Sequence, residues 1–123
     1  MQVATELYCY RALVTDVYDG DTITVNIDLG LDIWLMNQKI RFWGIDAPEI
    51  RISAWEPYRT EEKQKGHASR DYLRTLILGK KVILRTKQDE KGSFQRWLAI
   101  VYLDGVDINA DLVDKGYAKY KDY

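Results

Sequence analysis

The chain of 123 residues has the length of one domain, and its composition, 46% hydrophobic and 30% charged, is typical of a globular protein rather than a disordered one. A formal net charge of −1 gives no reason by itself to expect a polyanionic partner. One histidine and one cysteine are too few for an ordinary zinc site, and the lone Cys9 excludes an internal disulfide. We therefore expect any chemistry to depend on carboxylates and arginines.

No apolar run reaches the ~18 residues that a membrane helix needs, and the first residues lack the basic start and apolar block of a signal peptide. We therefore expect a single domain over 1–123 that is cytoplasmic as written, with export by another route left open. The charge is uneven, because residues 1–60 carry five basic and nine acidic side chains and residues 61–123 carry thirteen and ten. An acidic half suits a cation and a basic half suits phosphates.

The first half of the chain predicts three strands. Residues 6–18 are rich in β-branched and aromatic side chains, which favour a strand. A turn signal follows at Asp19-Gly20, and residues 23–29 then alternate apolar and polar, the period of a half-buried strand with its apolar side chains facing inward. Residues 33–45 predict the third strand, which ends before Pro48 because proline continues neither a helix nor a central ladder.

The second half adds two helices and two strands. The predicted elements are a loop (50–61), a helix (62–78), two strands (81–87 and 95–104) and a last helix (107–115). In the first helix, Ala68, Tyr72 and Leu76 recur every four residues, with Leu73 and Ile77 beside them, and these residues predict its apolar face. Asp107 is placed to cap the last helix and Gly116 to end it.

The predicted order is β-β-β-α-β-β-α, which makes the chain mainly β with helices (α+β). Five short antiparallel strands with a helix between the third and the fourth fit a closed barrel of the OB type, a fold that commonly binds oligonucleotides. Closure also leaves the sheet without exposed edges. A flat five-stranded sheet with two helices on one face is the alternative.

Acidic residues lie at two predicted strand ends. The turn at residues 19–22, Asp-Gly-Asp-Thr, is either an ordinary hairpin corner or a stiff turn that aims carboxylates at a hard cation. Asp46 and Glu49 flank an Ala-Pro bend after the third strand, and the bend is expected to hold them at one mouth of the barrel.

Two arginines interrupt otherwise apolar strands. Arg41 shares a strand face with Trp43 and Ile45, and its charge needs a carboxylate, phosphate or water partner. It is either a rim arginine paired with an acid or a ligand of phosphate. Arg96 opens the fifth strand, and the simplest interpretation is an edge arginine on the surface. Together with the acids, the two arginines predict a charged cluster at strand ends within one small barrel.

The order and spacing of these motifs resemble the staphylococcal nuclease (thermonuclease) family. The matching stretches are Tyr18-Asp19-Gly20-Asp21-Thr22, Ile40-Arg41-Phe42, Ile45-Asp46-Ala47-Pro48-Glu49 and Arg96-Trp97-Leu98-Ala99. Further matches are Gly66-His67-Ala68-Ser69, expected to open the first helix, and Asp107-Ile108-Asn109 in the last. The resemblance covers roughly residues 8–120, nearly the whole chain.

The resemblance implies a calcium-dependent phosphodiesterase that hydrolyses DNA and RNA with little sequence specificity and leaves 3′-phosphate ends. It implies one Ca²⁺ ion held by the carboxylates of Asp21 and Asp46 and by the backbone carbonyl of Ala47, with Asp19 adding negative potential nearby. The family usually has threonine at the position of Ala47. Because the ligand there is a main-chain oxygen, we expect alanine to serve.

The resemblance also implies that Glu49 is the general base for the attacking water and that Arg41 and Arg96 bind the phosphate. Charge builds on the non-bridging oxygens during attack, and two guanidinium groups stabilise it more than they stabilise the ground state. Many members have Tyr-Gly before the second arginine, where this chain has Phe94-Gln95. Candidate nucleotide contacts, by stacking that tolerates any sequence, are Phe94, Tyr120 and Tyr123.

We expect the partner to be DNA or RNA, with no membrane involved, and the protein to be a monomer. One alternative is a non-catalytic nucleic-acid or protein-binding module, as some repeats of the family are. Such repeats typically lose catalytic acids or arginines, which this chain keeps. Another is an OB domain whose match is architectural only. The loop over residues 50–62 is expected to be mobile and to border the cleft.

Overall fold

Eight strands and two helices follow one another in the computed structural model of this chain, which describes residues 7–50 and 60–122. The strands are β1 (Cys9–Asp19), β2 (Thr22–Gly30), β3 (Ile33–Phe42), β4 (Ile45–Asp46), β5 (Lys81–Lys91), β6 (Trp97–Leu103), β7 (Val106–Asp107) and β8 (Lys119–Tyr120). The helices are α1 (Thr60–Ile77) and α2 (Ile108–Asp114), and a 3₁₀ turn (Ser93–Gln95) joins β5 to β6. The predicted order is therefore confirmed, with three two-residue strands added. Neither described helix is long and apolar enough to cross a bilayer.

The five long strands close into a barrel. Neighbours pair antiparallel in the order β3-β2-β1-β5-β6, and β3 then pairs with β6 in parallel, with Ile40 opposite Trp97 and Phe42 opposite Ala99. This confirms the predicted OB-type barrel and excludes the flat sheet. The prediction that all strands run antiparallel holds at four of the five junctions, because a ring with an odd number of strands cannot alternate direction at every one.

Side chains that point into the barrel form most of the core. They are Ala12, Val14, Val17, Ile23, Val25, Ile27, Ile40, Phe42, Val82, Leu84, Ala99 and Val101. The alternation predicted for residues 23–29 is confirmed as far as Ile27. Leu29, expected to face inward, is 46% exposed. The reason is that β6 pairs with β3 only over residues 40–42, so the outer part of the β2–β3 hairpin extends beyond the barrel.

Helix α1 packs against the barrel through part of the predicted face, Leu73 and Ile77, together with two small residues. Its buried residues are Gly66, Ser69, Leu73 and Ile77, with Tyr72 and Leu76 only partly buried. Ala68, predicted to lie on the apolar face, is exposed. Helix α1 begins at Thr60, close to the predicted start at residue 62, so Gly66 lies inside the helix and does not open it. Leu73 and Ile77 are thus buried as predicted, whereas Gly66 and Ser69 are small residues that hydrophobicity alone does not identify.

Helix α2 ties the end of β3 to β6. Asp107 caps it as predicted, accepting a hydrogen bond from the amide of Ala110 at 3.0 Å, and Gly116 follows its last turn with φ of 82°. Asn109 is 4% exposed, and its side chain accepts from the amide of Val101 and donates to the carbonyl of Trp43. These bonds hold the segment after β3 against β6, which is where the charged residues converge.

Candidate active site

One cleft of about 380 Å³ gathers eight of the predicted site residues from three stretches of the chain. They are Asp19, Asp21, Arg41, Asp46, Ala47, Glu49, Phe94 and Arg96. Barrel closure brings them together, because the parallel junction of β3 and β6 sets Arg41 opposite Leu98, and β2 pairs Thr22 with Arg41. Acidic and basic groups far apart in sequence therefore border one space.

The carboxylate of Asp21, between β1 and β2, is buried and held by three groups. The amide of Ala47 donates to Oδ2 at 2.8 Å, the hydroxyl of Thr22 donates to Oδ1 at 3.1 Å, and Nη2 of Arg41 lies 3.3 Å from Oδ2. Asp21 is 6% exposed. A carboxylate with so little solvent needs such partners to keep its charge, and they fix the positions of its oxygens.

The guanidinium of Arg41 bridges two carboxylates. Its Nη2 lies 3.3 Å from Asp21 Oδ2 and 3.2 Å from Asp46 Oδ1, while Nη1 donates to the carbonyl of Phe42 at 2.8 Å. A planar fork of donors can serve three acceptors at once, which the single ammonium of lysine does with less precision. Arg41 is therefore both paired with acids and positioned at the cleft, so the two interpretations of it are compatible.

A turn at Trp43 and Gly44 divides the predicted third strand (33–45) into β3 and β4. Gly44 has φ of 81°, a conformation that glycine adopts without steric cost. The short β4 then pairs with β8, with Asp46 opposite Lys119. The change of direction brings Asp46 and Ala47 back toward Asp21.

Arg96 reaches the cleft from the 3₁₀ turn. Its Nη1 donates to the hydroxyl of Thr22 at 3.1 Å, and its Nε donates to the carbonyl of Ser93 at 2.9 Å. Thr22 thus joins Arg96 to the carboxylate of Asp21. The ring centre of Phe94 lies 5.4 Å from Cζ of the Arg96 guanidinium. Phe94 is 86% exposed, and its backbone φ is 61°. A non-glycine residue in this conformation stores backbone strain, which concentrates at functional sites.

The carboxyl group of Asp19 is partly buried beside the carboxylate of Asp21. Burial, a hydrogen bond with Asp21 and repulsion by the Asp21 charge raise its pKa to about 7, and the charge of Arg41 offsets part of the rise. Its Oδ1 accepts a hydrogen bond from the amide of Asp21 at 3.1 Å. Burial is the largest cause of the rise, and only the part due to the Asp21 charge reflects a negative local potential.

Helix α1 packs against the segments that line the cleft so closely that Gly66 and Gly20, the two glycines at the contact, have no room for a side chain. A Cβ on Gly66 would lie 2.7 Å from the carbonyl oxygen of Glu49. A Cβ on Gly20 would lie 2.7 Å from Cβ of Ser69 and 2.9 Å from Cβ of Ala47. The backbone beside the acids is therefore positioned by the helix. Sequence reasoning missed this role, although a glycine inside a helical stretch was a signal of close approach.

The donors in the cleft fit a hard cation that keeps part of its water shell. Carboxylate and main-chain oxygens are what Ca²⁺ and Mg²⁺ prefer, and Asp21 and Asp46 contact the same Arg41 nitrogen. Over residues 7–50 and 60–122, no three acidic, histidine or cysteine side chains form a metal-holding group by themselves. A bound ion would thus also need the Ala47 carbonyl and water.

Of the predicted nucleotide contacts among the described residues, Tyr120 is not one that lines the cleft. Tyr120, opposite Ile45 in β8, is 67% exposed and does not line it, and Tyr123 is outside the described residues. Lys121 lines the cleft instead, with its amide donating to the carbonyl of Gly44 at 2.9 Å. Lys121 directly follows β8, and it lines the cleft where Tyr120 does not. Of the loop expected to be mobile, residues 51–59 also lie outside the described residues.

Comparison with known proteins gives a family match over most of the chain. Residues 39–123 match the family model described as "Staphylococcal nuclease homologue". The chain is 32% identical over 111 residues to "Endonuclease YhcR" of Bacillus subtilis (strain 168), covering 89% of this chain and 9% of that protein. It is also 32% identical over 112 residues to "Thermonuclease" of Staphylococcus hyicus, covering 89% and 59%. An "Uncharacterized endonuclease" of Haemophilus influenzae is likewise 32% identical over 111 residues, with 89% and 52% covered. The chain thus spans between 9% and 59% of the length of these relatives.

Proposed function

Because this chain belongs to the staphylococcal nuclease family, we propose that it is a phosphodiester hydrolase that cleaves DNA and RNA with little sequence specificity. The observation that carries the proposal is the cleft in which Arg41 and Arg96 lie among the carboxylates of Asp21, Asp46 and Glu49. Calcium dependence and products with 3′-phosphate ends are part of the same proposal and follow from the family resemblance.

Arg41 and Arg96 bind the phosphate in this proposal. Attack on a phosphodiester adds negative charge to the non-bridging oxygens, and paired N–H donors aimed at those oxygens stabilise that charge more than the ground state. Arg41 needs little reorganisation, because two carboxylates and the Phe42 carbonyl already orient its guanidinium. Arg96 is more exposed to solvent and approaches from the Thr22 side of the cleft.

Glu49 is the general base. Its side chain is exposed at the edge of the cleft, where a carboxylate oxygen can take a proton from water as that water attacks phosphorus. The bond from phosphorus to the 5′ oxygen breaks, and that oxygen takes up a proton and leaves as a hydroxyl. The phosphate stays on the 3′ oxygen of the other fragment.

Asp21, Asp46 and the carbonyl of Ala47 would hold the calcium ion of the proposal. When bound, the ion supplies Lewis-acid stabilisation of a phosphoryl oxygen. Asp21 contributes oxygens already fixed by the amide of Ala47 and the hydroxyl of Thr22. Asp19 contributes negative potential at short range.

The test is cleavage of single-stranded DNA and RNA oligonucleotides with calcium and with chelator. We expect cleavage that needs calcium, and products that a polymerase extends only after phosphatase treatment. Glu49→Gln is expected to lower the rate about 10²- to 10⁴-fold, the usual contribution of a general base. Glu90→Gln, an exposed acid of β5 that does not line the cleft, is the matched control and keeps full activity.

Absence of cleavage with every divalent ion would overturn the proposal. Binding of the oligonucleotide without cleavage would instead support the non-catalytic module. Calcium is tested separately by thermal unfolding, because an ion that binds only the folded state stabilises it by about 2.7 kcal/mol at a hundred times its dissociation constant. The shift is expected in the wild type and not in Asp21→Asn. If calcium does not change the melting temperature of the wild type, the ion is no longer part of the proposal.

A further inference from the structure

A second groove lies on the outer surface of the barrel beside the cleft, and no residue of the proposed catalytic set lines it. Its volume is about 290 Å³. Its lining includes Tyr8, Trp43, Arg85, Lys87 and Ile100, and we refer to the space among them as the basic groove.

The basic groove continues the cleft along the junction of β3 and β6. Arg41 and Leu98 are opposite each other and line the cleft, while Trp43 and Ile100, each two residues further along, line the groove. The amide of Trp43 donates to the carbonyl of Ala99 at 2.8 Å, so the two segments remain side by side. Two residues advance a strand by about 7 Å, which separates the groove from the cleft by a short step.

The charge of the groove is positive. Arg85 and Lys87 are two residues apart in β5, so their exposed side chains lie on the same outer face of the strand. Arg85 is opposite Ile100 in β6. Over residues 7–50 and 60–122, neither cation has a carboxylate within 4.0 Å, and no acidic side chain lines the groove. Exposed cations of this kind bind a polyanion by releasing its counterions.

Two aromatic rings accompany the cations. Nζ of Lys87 lies 4.8 Å from the centre of the Trp43 ring, and Tyr8 is 42% exposed. The carbonyl of Tyr8 accepts from the amide of Thr86 at 2.9 Å, which holds the chain before β1 beside β5. Aromatic rings among cations are the arrangement that binds single strands, because unpaired bases stack on the rings while their phosphates meet the charges.

We propose that the basic groove binds the single-stranded nucleic acid whose scissile phosphate occupies the cleft. Arg85 and Lys87 contact phosphates beyond the scissile one, and Trp43 and Tyr8 stack with bases. The inference rests on the proposed nuclease function and narrows its substrate to strands several nucleotides long. A duplex, whose bases are stacked on each other, gains less from the groove.

The first test is binding of a fluorescein-labelled twelve-residue oligothymidylate in chelator, followed by anisotropy over a series of salt concentrations. The double variant Arg85→Ala/Lys87→Ala is expected to weaken binding about tenfold. It is also expected to reduce the slope of log affinity against log salt by about 1.4, since each lost contact to a single strand removes about 0.7. The control is Lys80→Ala/Lys115→Ala, which removes the same charge from two residues that line neither space.

The second test compares substrates during cleavage. For the oligothymidylate, KM is expected to rise about tenfold in the double variant with kcat unchanged. Turnover of a p-nitrophenyl phosphodiester of a single nucleotide, too short to reach the groove, is expected to stay the same. Equal losses on both substrates, or binding equal to that of the wild type, would overturn the proposal. If the double variant does not fold, Arg85→Gln/Lys87→Gln replaces it.

The binding test separates this inference from the nuclease proposal, because it needs no cleavage. A wild type that binds but does not cut, with weaker binding in the double variant, would refute the nuclease function and support the groove. A wild type that cuts, with no change of binding or KM in the double variant, would do the reverse.

Discussion

The cleft and the basic groove are adjacent and both contain arginines, but the burial and the partners of those arginines differ. In the cleft, Arg41 is 7% exposed and contacts two carboxylates and a carbonyl. In the groove, Arg85 is exposed and has no carboxylate partner within the described residues. A buried charge must be paired to remain charged, and pairing fixes its geometry, whereas an exposed charge keeps its hydration and its freedom.

The difference indicates what each region can contribute. Stabilising a transition state requires donors already positioned where charge develops, so it needs the rigid arrangement of the cleft. Holding the rest of a flexible strand requires only net positive charge and aromatic surface, which tolerate many geometries. Precise geometry should therefore matter in the cleft, whereas charge and aromatic surface should be sufficient in the groove.

The largest expected effect comes from the same substitution made in each region. Arg41→Lys keeps the charge but loses the fork of donors, so we expect kcat to fall about 10²-fold. It should also lower the free energy of unfolding by about 2 kcal/mol, because Asp21 remains buried with poorer pairing. Arg85→Lys should leave oligonucleotide affinity within about twofold, because counterion release depends on charge. The measurements are single-turnover cleavage, urea unfolding and anisotropy.

Equal sensitivity of the two positions would contradict the comparison. A large loss of affinity in Arg85→Lys would mean that the groove recognises geometry. An unchanged kcat in Arg41→Lys would mean that the bridging of two carboxylates has no catalytic consequence.

A smaller effect is expected at the contact between α1 and the cleft. Gly66→Ala should favour the helix by about 1 kcal/mol, but the added Cβ would lie 2.7 Å from the carbonyl oxygen of Glu49. The backbone of Glu49, the proposed base, must then move, and we expect kcat to fall about tenfold or more. Gln64→Ala, exposed in the same helix, is the control. Full cleavage activity in Gly66→Ala would show that the helix does not position Glu49.

The smallest effect on activity is expected outside both regions. The hydroxyl of Tyr72 in α1 donates to Asp111 in α2 at 2.6 Å, and this hydrogen bond, with burial, raises the pKa of Tyr72 from 10.0 to about 12. The folded state thus holds the phenol proton more tightly than the unfolded state. The hydrogen bond therefore contributes fully to the free energy of unfolding below pH 10, and this contribution is lost as pH rises toward 12.

Tyr72→Phe should therefore lower the free energy of unfolding by about 1 kcal/mol near pH 8, with no change in cleavage or binding. The gap between variant and wild type should narrow between pH 10 and 12, as urea unfolding at several pH values would measure. Tyr18→Phe, at a tyrosine 53% exposed, serves as control. A gap that stays constant with pH would contradict the assignment to this hydrogen bond.

Local patterns predicted much of the fold. The alternation over residues 23–29, the turn at residues 19–22 and the cap at Asp107 each depend on neighbours a few residues away, and all three appear in the structure apart from the outer end at Leu29. On α1, Leu73 and Ile77 are buried as predicted, but Ala68 is exposed and Gly66 is buried, because hydrophobicity does not identify a residue needed for close packing. Period and capping are local properties, but the distance between two elements is not.

The sequence by itself determined the strand and helix order, the motifs of the family and the identity of the charged residues. Only the tertiary structure decided which of them meet. The amide of Ala47 reaches Asp21 across 26 residues, and Arg96 reaches Thr22 across 74. The parallel closing junction, the choice of Lys121 over Tyr120 at the cleft and the basic groove arise in the same way. Each depends on how a closed barrel aligns distant strands, and no short stretch of sequence contains that information.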